Sequence, residues 1–148
     1  MYKHILIPTD GSRLSDKAIR TAVELAKKLG AKLAAMHVVP PYNMAVSGYE
    51  VAPVMVFTPA EYKASTAKSS KAAFDKILMA AGTAGVPCTT TCVSDDRPWE
   101  AIVRTAKSKR CDLIVMASHG RSGLSGLLLG SETTKVLTHS KTPVLVVR

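Results

Sequence analysis

The sequence predicts an α/β fold: one doubly wound domain over residues 1–148, with a five-stranded parallel sheet in the order 3-2-1-4-5 and helices on both faces. Two observations carry this. Short apolar runs alternate with segments of helical periodicity, and each run is near-uniformly apolar, as in a strand covered on both faces. Right-handed crossovers then leave few topologies open, and the doubly wound one places a ligand at the carboxyl ends of the strands, beside the switch in strand order.

The first run, His4 to Pro8 (HILIP), is short and apolar, a strand. After the turn TDGS, Leu14, Ala18, Ala22, Leu25, Ala26 and Leu29 recur at helical spacing, so Ser12 to Leu29 is a helix with Gly30 as its C-cap. Lys32 to Val39 (KLAAMHVV) is the second strand. Residues 40–57 carry three prolines, one glycine and a single charge, Glu50; they form a long apolar connection, either a lid or partner-contacting surface or an Ω-like loop packed down on itself. Thr58-Pro59-Ala60-Glu61 is a capping box with proline at the first helical position. It opens a helix to about Ala81, ended by Gly82 and Gly85. Cys88 to Val93 is the third strand, Pro98 to about Arg110 a helix, Asp112 to Ser118 the fourth strand, Ser131 to His139 the last helix and Pro143 to Val147 the fifth strand.

Composition narrows the class. With 47% apolar and 21% charged residues the chain is a globular domain rather than a disordered one. No apolar run reaches the roughly 18 residues of a membrane span, and the N-terminus lacks a signal-peptide pattern, so a cytoplasmic protein is expected. Cys88 and Cys92 would lie about 13 Å apart along one strand, too far for a disulfide, and Cys111 is alone; buried reduced thiols are the expectation. The net charge of +9 admits nucleic acid, acidic lipid or a phosphorylated small molecule. The bases are distributed over three helical patterns without interleaved aromatics, which favours solvated helix faces over a nucleic-acid interface.

The densest signal is MASHGRSGLSGLLLGSETTK, residues 116–135, which holds Gly120, Gly123, Gly126 and Gly130 between the fourth strand and the fourth helix. Phosphate binding wants inward N–H groups with no Cβ in the way, leading into a helix N-terminus. Gly120 and Gly130-Ser131 offer this, with Ser131 also a cap hydroxyl, and Ser118, His119, Arg121 and Ser122 are further donors for an anion. Walker A is excluded because Ser131, not lysine, follows Gly130, and the first turn carries only Gly11, too few glycines for a dinucleotide fingerprint. Gly123 and Gly126 are left between close folding and mobility, and Leu127 to Leu129 read as anchors of the loop on the core.

These residues resemble the universal stress protein family over the whole chain. Its ATP-binding members carry G-x2-G-x9-G-[S/T]; here Ala117-Ser118-His119-Gly120, nine residues, then Gly130-Ser131 match all but the first position. ILIPTDGS, MHVV, DLIVMASHGRSG and the closing PVLVV match as well. The resemblance implies that ATP, with Mg²⁺, lies across the carboxyl edge. Pro8, Thr9 and Asp10 end the first strand there, and the Asp10 carboxylate would accept from ribose hydroxyls or meet the metal, or else serve as a turn aspartate capping the helix. The backbone of Val38 would read the adenine edge. Met116, Ala117, Gly120, Gly130 and Ser131 would surround ribose and phosphates, with Arg121, Ser122, Glu132 and Thr133 adjacent. Alanine at 117 would cost about 1 kcal/mol if that position needs a left-handed φ, and little if it needs only small volume. Related proteins pair their last strands, so a homodimer through Pro143–Val147 is implied.

The sequence carries no Ser/His/Asp arrangement, zinc-ligand spacing or spaced carboxylate pair. His119 is the strongest catalytic candidate, whereas His4, His37 and His139 read as structural. A stress-response regulator working through nucleotide-dependent dimer or partner contacts is therefore the primary reading. A slow ATP hydrolase, which needs little beyond positioning of triphosphate and Mg²⁺, and a basic nucleic-acid binder are the alternatives.

Overall fold

The sheet follows from where the apolar runs sit. A computed structural model describes residues 1–42, 58–120 and 129–148. In it the strands are β1 (His4–Pro8), β2 (Lys32–Val39), β3 (Cys88–Ser94), β4 (Leu113–Ala117) and β5 (Val144–Val147). The helices are α1 (Arg13–Leu29), α2 (Pro59–Ala84), α3 (Pro98–Ser108) and α4 (Ser131–His139). All strand pairs are parallel and the order is β3-β2-β1-β4-β5, as the sequence predicts.

Successive side chains of a strand point to opposite faces, so the central strands feed two cores. Ile5, Ile7, Leu33, Ala35, Leu113 and Val115 meet α1 and α2 through Ile19, Val23 and Ile77. Leu6, Ala34, Met36, Ile114 and Met116 meet α3 and α4 through Ile102, Ala106 and Val136. Each fully buried aliphatic side chain stabilises the fold by about 1.5–3 kcal/mol, which makes the β1–β4 centre the rigid frame for whatever stands on its edge.

The predicted capping box forms: the Thr58 hydroxyl accepts the Glu61 N–H at 3.2 Å and a Glu61 carboxylate oxygen accepts the Thr58 N–H at 2.8 Å. The helix it opens runs past the predicted stop at Gly82. It ends only where Gly85 adopts φ 70° and its cap N–H groups close on the carbonyls of Ala81 and Gly82. One interior glycine costs about 1 kcal/mol of helix, less than the packing of Ile77 and Ala81 supplies.

Two expectations are corrected. The outer strands are not uniformly covered: the threonines of β3 (CTTTCVS) lie largely exposed and no residue of β5 is fully buried, because an edge strand has a neighbour on one side only. For the same reason the thiols are not all buried. Cys111 is, Cys88 is half-buried and Cys92 is exposed, with its sulfur 3.2 Å from the Ser70 hydroxyl; all three are free. Among the described residues no helix is long and apolar enough to cross a membrane.

Candidate functional site

β1 stops at Pro8, opposite Met36, while β2 runs on to Val39, and that mismatch opens the site. Pro8 pairs with Met36, and the Thr9 N–H donates to the Met36 carbonyl at 2.8 Å. Backbone groups alternate sides along a strand. The Val39 carbonyl turns to β3, where it accepts the Asp95 N–H, so Val38 directs its N–H and C=O to the side that β1 has left. Composition could not show this; it follows from register.

The β1–α1 turn is held by its own side chains. The buried Thr9 hydroxyl accepts the Gly11 N–H at 3.1 Å and donates to the Ser15 hydroxyl at 3.2 Å. His37, buried in β2, places Nδ1 2.7 Å from the Thr9 carbonyl and packs edge-on against Phe74, a structural role as expected. Asp10 Oδ1 accepts the Ser12 N–H at 3.0 Å. The helix cap is Ser12 rather than Asp10, yet its hydroxyl makes no cap bond. Ser12 Oγ is enclosed with no hydrogen-bond partner, a site feature the sequence reading missed. Only the serine of TDGS hinted at it.

The β4–α4 segment closes against this turn. Ala117 is the last residue of β4, half-buried, and Arg110 is the residue other than glycine with positive φ among those described. Alanine at 117 therefore carries no left-handed strain, and volume is the relevant demand. A Cβ on Gly120 would stand 2.8 Å from Asp10 Oδ2, so the two loops meet there. A Cβ on Gly130 would stand 3.1 Å from the Ser118 carbonyl oxygen and 3.3 Å from His119 Cα. The Gly130 N–H donates to that same carbonyl at 2.8 Å. Buried Ser118 carries its hydroxyl 3.1 Å from His119 Nδ1.

Details of α4 differ from expectation. Gly130, at φ −60° and ψ 149°, is the N-cap and Ser131 the first helical residue, so Ser131 does not cap; its side chain is exposed at the helix start. The first intrahelical bond runs from Thr134 to the Gly130 carbonyl, leaving the N–H groups of Ser131, Glu132 and Thr133 ahead of it without intrahelical partners. The buried Thr133 hydroxyl donates to the Ala117 carbonyl at 3.1 Å, tying α4 to the end of β4. Glu132 faces α3 instead: its carboxylate accepts the Trp99 N–H at 2.9 Å and pairs with Lys135 at 2.9 Å. Met116 lies in the core under the edge. Arg121, Ser122, Gly123 and Gly126 lie outside the described residues, as does all of the long apolar connection beyond Tyr42.

The described residues thus bring Thr9, Asp10, Val38, Ala117, Ser118, His119, Gly120, Gly130 and Ser131 to one edge at the β1/β4 switch. This edge combines unfilled close approaches, an unpartnered hydroxyl and open helix-start N–H groups, a chemistry suited to an anion.

Comparison with known proteins gives concordant matches. The family model described as the universal stress protein family matches residues 1–148. A universal stress protein of Bacillus subtilis is 35% identical over 152 residues, covering all of both chains. Among solved structures, a universal stress protein from Lactobacillus plantarum is 28% identical with TM-score 0.76, covering 99% of this chain and 98% of that one. Another universal stress protein, solved in complex with cAMP, is 28% identical with TM-score 0.68, covering 99% and 97%.

Proposed function

The chain belongs to the universal stress protein family, and on that premise we propose that it binds ATP as the magnesium complex at the carboxyl edge of its sheet. The close packing of Gly120 on Asp10 and of Gly130 on Ser118 and His119 carries this reading. It draws two loops within contact of each other and would let backbone N–H groups approach a ligand closely. Binding of cAMP by a relative of 28% identity supports an adenine nucleotide as the ligand class.

In this reading the Val38 backbone takes the adenine edge and Asp10 the ribose hydroxyls. The N–H groups of Gly120 and Ser131, with the hydroxyls of Ser131 and Ser12, take the phosphates. Ser12 would thereby gain the partner it lacks. Arg121 and Ser122 add charge and a hydroxyl from the adjoining segment. In this reading magnesium arrives on the nucleotide, with Asp10 its nearby carboxylate.

Regulation would pass through assembly. β5 is an apolar edge strand with Leu145 38% exposed, an aggregation hazard unless covered. A second copy pairing there would make a homodimer, and nucleotide held beside β4 would alter that contact in a cytoplasmic stress-response regulator. The test is to heat-denature freshly purified protein, chromatograph any released nucleotide, and titrate MgATP into stripped protein. Co-purified adenine nucleotide, or saturable binding lost in Gly130→Val, supports the reading; the absence of both released nucleotide and binding heat overturns it. Light scattering that shows a monomer at micromolar concentration overturns the dimer.

A further inference from the structure

The amino edge of the sheet, opposite the nucleotide edge, gathers bases that the sequence spreads over the whole chain. In a doubly wound fold the strand starts and helix ends share one side. Lys27 and Lys28 close α1, Lys107 closes α3, and Lys3, Lys32, Arg110 and Lys141 stand before or at the starts of β1, β2, β4 and β5. Asp112 is the acid beside them, and its carboxylate already accepts the N–H groups of Lys3 and His4 at 2.7 and 3.0 Å. The salt bridges among the described residues use other bases: Lys71, Lys76, Arg97, Arg104 and Lys135.

Helix dipoles account for Lys27, Lys28 and Lys107, which complement helix C-termini. They do not account for the strand starts, nor for Arg110. The turns that end α1 and α2 are closed by Gly30 and Gly85 at φ 61° and 70°; the turn that ends α3 holds Arg110 at φ 53°, a conformation that penalises a side chain. An arginine kept in a strained position where glycine serves elsewhere points to use of its side chain. The bases at the strand starts also recur across the width of the sheet. In the spatial order β2, β1, β4, β5 they are Lys32, Lys3, Arg110 and Lys141, spread over about 14 Å at the ordinary strand spacing. Between Lys3, Lys27 and Lys32 an open cavity of about 300 Å³ is floored by Ala31 and Val86.

We infer that this edge is a docking surface for the phosphodiester backbone of a nucleic-acid strand, read by charge and without base specificity. Positive charge recurring across four adjacent strand starts complements an extended polyanion, and the cavity gives one phosphate and its sugar a seat. The positive potential already registers on His4, whose pKa is pushed down by burial and then by Lys32.

The experiment is fluorescence anisotropy of labelled oligo(dT) with the full chain over a salt series. We expect log-log salt slopes of about −2 to −3, from three or four phosphates at about 0.7 each. Lys32→Gln and Lys3→Gln should each reduce the slope by about 0.7. Arg110→Gly should weaken binding while raising Tm, which separates loss of the contact from loss of the fold. Lys63→Gln and Lys71→Gln on the outer face of α2 should leave binding unchanged, and saturating MgATP should not displace the strand. The inference is overturned if the edge variants bind as the wild type does, if MgATP competes, or if the protein ignores oligo(dT) and sediments with phosphatidylserine vesicles. Failure of nucleotide binding at the other edge would leave these outcomes unaffected.

Discussion

Replacing Gly130 with valine sets a side chain where the backbone leaves no room. The new Cβ would lie 3.1 Å from the Ser118 carbonyl oxygen and 3.3 Å from His119 Cα, before the γ-methyls are counted. Neither atom can swing aside. Ser118 is pinned by its own N–H to the Val147 carbonyl and by the Gly130 N–H to its carbonyl, both at 2.8 Å. At φ −60° and ψ 149° the backbone conformation suits any residue, so the penalty is steric rather than conformational. Overpacking costs about 1–3 kcal/mol and a lost hydrogen bond about 1, against about 0.5–1 recovered from chain entropy. The net, about 2 kcal/mol, lowers Tm by roughly 4–8 °C for a chain of this size. Displacement of Ser131 from the phosphates should weaken MgATP by more than about tenfold. Differential scanning fluorimetry and titration calorimetry read the two effects. Gly82→Ala is the control: nothing lies within 4 Å of its Cβ, and it sits inside α2, so it should stabilise by about 0.5–1 kcal/mol without touching affinity. A Gly130→Val protein that melts and binds like the wild type would refute the close-approach argument outright.

Ile77, fully buried between α2 and the sheet, should cost about 2–5 kcal/mol on replacement by alanine, measured by urea unfolding, with MgATP affinity of the folded fraction retained. Burial opposes ionisation of Asp112, but the N–H groups of His4 and Lys3 outweigh it and hold the carboxyl below its usual range. A depressed pKa contributes stability above about pH 4 that is lost as pH falls through the folded value. Asp112→Asn should therefore cost about 1 kcal/mol at neutral pH, with the gap narrowing in parallel urea titrations as pH falls through the folded value. Burial, then Asp112, pushes the Cys111 thiol up to about 11. A raised pKa contributes stability below about pH 8.5 that is lost as pH rises through 11, so Cys111→Val should move the alkaline unfolding midpoint upward. With Ellman's reagent the exposed Cys92 should react first and Cys111 only on unfolding; equal rates would contradict the assigned burial.

Much of the fold is legible because it is local. Apolar runs of strand length, the Thr58–Glu61 capping box and Gly30 at a helix end each act within a few residues, and the handedness of crossovers does the rest. Local rules fail where a remote neighbour decides. Gly82 reads as a stop until the packing of Ile77 and Ala81 carries the helix past it, and β3 reads as a buried strand until its place at the sheet edge leaves its threonines exposed.

The sequence by itself determined the parallel α/β sheet, the family and the neighbourhood of the candidate site, since TDGS and Gly120 follow their strands on the edge that topology dictates. Only the tertiary structure decided what each group does there. The early end of β1 leaves the Val38 backbone facing the side that β1 has vacated, Gly120 lies against Asp10 of another loop, and Glu132 turns to Trp99. It also gathered the scattered lysines onto one edge. Side-chain identity is a property of the chain, but contact and exposure belong to segments more than a hundred residues apart, which meet only when the sheet closes.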